Sequence, residues 1–100
     1  MDANRILWEC TEDALYSLGK SAMQTIAWQM KQRDVGMLPD NFDIKMFSIV
    51  LGDLIGSGAE TILSIICRNL CERLKTEMPV DPEISALEKI GKVLEAKKMK

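Results

Sequence analysis

The stretch from Ser57 to Met78 limits the possible folds of this chain more than any other. It opens with Ser57-x-x-Glu60, the spacing of a capping box, in which a serine hydroxyl and a glutamate carboxylate each accept from an otherwise orphaned backbone N–H at a helix start. Ile62, Leu63, Ile65, Ile66, Cys67, Leu70, Cys71 and Leu74 follow. At about 100° per residue these positions cover far more than one core-facing stripe. Only Thr61, Ser64, Arg68, Glu72 and Lys75 form a clear polar line. A helix apolar nearly all round belongs in the middle of a bundle or at a subunit interface. In a chain of 100 residues such a helix is hard to cover in one copy, so the pattern predicts an all-α domain that associates with itself.

The rest of the chain reads as four more helices around this one. Leu7, Trp8, Ala14, Leu15 and Leu18 share a face of a helix predicted from Ala3 to Leu18, with Thr11 as its weak point. Gly19 can end it in a left-handed conformation. Ser21 and Gln24 have capping-box spacing for a second helix over Ala22 to Arg33, whose face is Met23, Ile26, Ala27 and Met30. Trp28 lies off that stripe and must find another helix or a partner. Gly36, Pro39, Asp40 and Asn41 mark a turn. A third helix is predicted from Phe42 or Asp43 to Ile55. Its Gly52 costs about 1 kcal/mol relative to alanine and suggests the close approach of another helix. Beyond Pro79, the sequence Asp81-Pro82-Glu83 is a start signal for a fifth helix. That helix carries Ile84, Leu87, Ile90, Val93 and Leu94 on one face. The expected organisation is a single compact domain: a four-helix core over 1–78, then a linker and an amphipathic helix over 79–100 that packs on the core or on a partner.

Several chemistries lose their usual residues. The chain has no histidine, which removes the commonest general base and metal ligand. The acidic residues fall on polar faces or at caps. Cys67 and Cys71 form a lone Cys-x3-Cys on an apolar helix, and Cys10 lies on another helix, so no second knuckle completes a zinc site. These thiols read as small core hydrophobes, and no metal or cofactor is expected. Gly52, Gly56 and Gly58 surround a helix start but match neither dinucleotide-binding nor Walker spacing; they read as a tight helix–helix corner. The opening residues have no apolar leader core, the apolar runs are too short to span a bilayer, and the cysteine count is odd, all of which predicts a reducing cytoplasm.

Partner chemistry follows from charge. The formal net charge is -2, and the one basic cluster is terminal: Lys97, Lys98 and Lys100. Nucleic acid is therefore disfavoured as a partner. The joint from Ala14 to Ser21 nevertheless resembles a helix-turn-helix loop, and the second helix would present Lys20, Gln24 and Lys31 to a groove. A small DNA-binding regulator is thus the alternative to a non-enzymatic, homodimeric interaction module. For that module the predicted interface residues are Trp28, Ile65, Cys67, Cys71, Leu87, Ile90 and Leu94.

The order of signals also resembles a known family. Ala14-Leu15-Tyr16-Ser17-Leu18-Gly19-Lys20-Ser21, then Ile26-Ala27-Trp28-Gln29-Met30, Leu38-Pro39, Phe42, and Ile55-Gly56-Ser57-Gly58-Ala59-Glu60 with Ile62 are similar to the Nitrosopumilus-type output domains, small archaeal helical domains of signalling proteins. The resemblance covers roughly Cys10 to Leu74, and the Gly-x-Gly-Ala segment is its most specific part. It implies a regulatory or interaction module without established catalytic residues. The fifth helix lies outside it, and no receiver or sensor domain is expected within these 100 residues.

Overall fold

The computed structural model describes residues 3–79 and 83–96. Five helices follow one another: α1 (Ala3–Tyr16), α2 (Lys20–Gln32), α3 (Ile44–Ile55), α4 (Gly58–Leu74) and α5 (Ala86–Ala96), with no strand among the described residues. The fold is all-α, as the periodicity predicts. The Asp81–Pro82 start signal and the basic cluster Lys97, Lys98 and Lys100 lie outside the described residues.

Helix α4 is the axis of the domain. It packs most extensively against α1 and α5, then against α3, while α1 touches α2, and α3 touches both α2 and α5. The core between them holds Leu7, Cys10, Leu15, Met30, Phe47 and Leu51 from the first three helices, Ile66, Cys67 and Leu70 from α4, and Ile90 from α5. Phe42 and Phe47 meet in a tilted pair, ring centroids 5.6 Å apart, a favoured aromatic geometry. Thr11 is the one buried polar residue among the described residues. Its hydroxyl donates to the Leu7 carbonyl at 2.8 Å, so the weak point of the α1 face is satisfied within its own helix. Between α1 and α4, the Arg73 guanidinium donates to the Glu9 carboxylate, and Asn69 Nδ2 donates to the Cys10 carbonyl at 3.4 Å.

The helix ends differ from expectation in instructive ways. Asp43 caps α3 through its carboxylate, which accepts from Lys45 N–H at 2.9 Å. Ser57 does not cap α4: its backbone is already helical (φ -62°, ψ -20°), and Ala59 and Glu60 N–H donate instead to the carbonyls of Gly56 and Ser57. The Glu60 carboxylate reaches across the domain and accepts from Ala86 N–H at 2.7 Å, closing the start of α5. Ser85 Oγ accepts from Glu88 N–H at 3.2 Å, so the effective α5 start is Ser85-x-x-Glu88. The Ser21 capping box is likewise absent. Helix α2 begins at Lys20 after Gly19, whose φ of 101° lies where a side chain would be strained, and Ser21 is already inside the helix.

Candidate protein-interaction surface

The predicted interface residues divide by depth. Cys67 and Ile90 are fully buried and Cys71 nearly so, all three inside the protein's own core. Ile65, Leu87 and Leu94 are half-buried, and Trp28 is exposed. The expectation that α4 carries more apolar surface than one copy can cover is therefore corrected. Three helices of the same chain surround it, and α5, held by the Glu60 bond to Ala86, packs on α4 in cis. Cys67, Cys71 and Ile90 have no surface to offer a partner.

The thiols behave as that burial requires. Desolvation pushes Cys10 up to about 11. It pushes Cys67 up to about 12, reinforced by the adjacent, hydrogen-bonded Cys71 sulfur. Cys71 is also raised, again by burial. Thiols held this strongly in the protonated form are poor nucleophiles and poor metal ligands. Among the described residues no cluster of three or more cysteine or carboxylate side chains is placed to hold a metal ion.

The exposed apolar side chains lie on other elements, chiefly α2, α3 and the segment that joins them. The large exposed apolar side chains include Trp28 on α2 (58% exposed), Leu38 in the connecting segment (61%), and Ile49 (60%), Met46 (45%) and Ile55 (39%) on α3; Tyr16 and Leu18 stand at the end of α1. Phe47, Val50 and Leu51 turn inward from α3, which places Ile49 on the opposite face, flanked by Lys45, Met46, Gly52 and Asp53. A Cβ built on Gly52 meets nothing within 4 Å. The close helix approach that this glycine suggests is not made by any helix among the described residues.

The segment between α2 and α3 is fixed by side chains from α1. Trp8 Nε1 donates to the Met37 carbonyl at 3.0 Å, and Asn4 Nδ2 to the Pro39 carbonyl at 3.1 Å. Asn41 Oδ1 accepts from Leu38 N–H at 3.0 Å. Gly36 allows the tight return, because a Cβ there would lie 2.3 Å from the Asn41 carbonyl oxygen. An open groove of about 610 Å³ runs between this segment and Ala27 and Lys31 of α2. Lys20, Gln24 and Lys31 are all exposed on α2, with Trp28 among them.

Sequence reasoning found Trp28 from its position off the stripe, and missed Ile49 and Leu38. The signal for Ile49 was present: α3 is apolar at eight of its twelve positions, Ile44, Met46, Phe47, Ile49, Val50, Leu51, Leu54 and Ile55. Among the described residues no helix is long and apolar enough to cross a membrane. Compared with family models, curated proteins and solved structures, the chain finds no match.

Proposed function

We propose that this chain is a small, non-enzymatic regulatory module that works by helix-mediated association with protein, in the first instance with a second copy of itself. The observation that carries this reading is that Trp28 on α2, Leu38 in the connecting segment, and Met46 and Ile49 on α3 are all exposed. Large apolar side chains left in solvent on three successive elements favour a protein partner over open solvent. The resemblance to output domains of signalling proteins suits the same reading, and three free, buried thiols suit a reducing, cytoplasmic setting.

Light scattering from about 10 to about 500 μM tests it, because a specific dimer of ordinary affinity is populated within that range. The mass should climb from 11.3 kDa toward twice that value. A strict monomer throughout ends the self-association reading. The nucleic-acid alternative has an exposed surface in Lys20, Gln24 and Lys31. Titration with mixed duplex DNA at low salt separates the two. Binding that falls steeply with salt, and is lost when Lys20→Ala and Lys31→Ala are combined, favours the alternative.

A further inference from the structure

The geometry points to the outer face of α3 as a self-complementary docking surface on which α3 of a second copy lies antiparallel, about a two-fold axis beside Ile49. This rests on the reading of the chain as a self-associating module, and names the surface and the orientation.

The argument is one of symmetry and charge. A two-fold axis beside Ile49 sets each residue a given number of places before it level with the residue the same number of places after it in the other copy. Lys45, four places before, then meets the partner's Asp53, four places after, and the contact occurs twice. At about 100° per residue, Lys45 and Asp53 stand about 40° to either side of Ile49, so both charges border the seam. Lys45 is exposed and forms no ion pair among the described residues. Asp53 uses Oδ2 toward Arg33 Nη1 at 3.4 Å, and its other oxygen is open to a second cation. A parallel arrangement would oppose lysine to lysine and aspartate to aspartate, so the charges select the antiparallel one.

Shape agrees with charge. Gly52 lies on the same flank of the helix as Lys45, and among the described residues nothing outside its own helix backbone stands within 4 Å of the place its Cβ would take. The methylene stem of the partner's Lys45 crosses that notch on its way to Asp53. Met46 and Ile49 supply the apolar contact between the copies. Helix α3 has 12 residues and is about 18 Å long. The seam is therefore small beside the roughly 800 Å² per partner of a standard interface, and the dimer should form at micromolar to sub-millimolar concentrations.

Sedimentation of the full chain up to about 500 μM tests the seam, with circular dichroism confirming that each variant stays helical. Lys45→Asp alone and Asp53→Lys alone should each weaken the dimer roughly tenfold, because two attractive contacts become repulsive. The double variant Lys45→Asp/Asp53→Lys keeps the net charge and exchanges the signs, so it should dimerise clearly better than either single variant, short of the wild type only because a lysine at position 53 faces Arg33 of its own copy. An equimolar mixture of the two single variants should also recover the dimer. Single variants that dimerise as well as the wild type, or a double variant that stays as weak as the singles, would overturn the α3 seam and leave self-association through another face standing. A wild-type chain that is monomeric at about 500 μM would overturn both readings.

Discussion

Helices α3 and α4 are both apolar nearly all round, yet the fold treats them in opposite ways. Helix α4 carries nine apolar residues in seventeen: Ala59, Ile62, Leu63, Ile65, Ile66, Cys67, Leu70, Cys71 and Leu74. Helix α3 carries eight in twelve and is the greasier of the two. Helix α4 is nevertheless enclosed by α1, α3 and α5, whereas α3 leaves Met46, Ile49 and Ile55 in solvent. Each helix touches three others, so the number of neighbours does not separate them. The difference lies in what each turns to its open side: Thr61, Ser64, Arg68 and Glu72 on α4, but Lys45, Met46, Ile49 and Asp53 on α3.

The sharpest way to break this comparison is to truncate one residue from each helix. Leu70→Ala, at a fully buried site on α4, should cost about 2–5 kcal/mol in urea unfolding. Ile49→Ala should stay within about 0.5 kcal/mol in dilute solution. Similar losses at the two sites would mean that α3 is covered in a way the fold does not provide.

The next effect concerns the thiols behind α4. All three cysteines have folded pKa values raised by burial, Cys10 to about 11 and Cys67 to about 12. Below the ordinary thiol value of about 8.5 both folded and unfolded chains hold these protons, and no pH dependence arises from them. Above it the unfolded chain releases them first. Stability should therefore fall from about pH 8.5 through the folded values of about 11 and 12, because the folded state then binds more protons. Cys67→Ala should flatten part of this slope. A stability profile level up to pH 11 would contradict the burial of these groups.

A smaller effect tests how α5 is held over α4. Glu60→Ala removes the carboxylate that accepts from Ala86 N–H. The loss should be about 1 kcal/mol, in the range of helix-cap substitutions, with hydrogen exchange quickening first at the start of α5. Faster exchange spread evenly over all five helices would argue against this local role.

These outcomes bear on how much of the molecule its sequence discloses. The helix count, the Asp43 start of α3, and much of the inward sides of α1 and α2 follow from periodicity and cap chemistry, although Leu18, assigned to the α1 face, lies exposed beyond the helix end, and buried Ile6 and Cys10 were not assigned to it. The Ser57-x-x-Glu60 motif misleads because residue identity does not report that Ser57 is already helical, with its local donors taken by backbone carbonyls. The same spacing at Ser85 and Glu88, one turn beyond the more conspicuous Asp81–Pro82, is the one seen at α5. The ends of α2 and α4 carry no glycine signal. They close with Asp34 and Lys75 in left-handed conformations, while Val35 and Thr76 N–H bond back to the carbonyls of Met30 and Cys71. Whether α5 packs in cis depends on chain path, which no local pattern encodes. The surface around Ile49 was missed for a related reason: the apolar excess was assigned to the longest greasy helix, although the excess depends on what a helix turns to its open side.

Thiol labelling compares the two helices most directly. In the Ile49→Cys variant at low micromolar concentration, the introduced thiol on α3 should react with an aromatic disulfide reagent at close to the rate of an unstructured peptide thiol. The native Cys67 and Cys71 on α4 should react only as fast as the domain unfolds. Native thiols that label as quickly as the introduced one would show α4 open to solvent, and would contradict the assignment of the uncovered apolar face to α3.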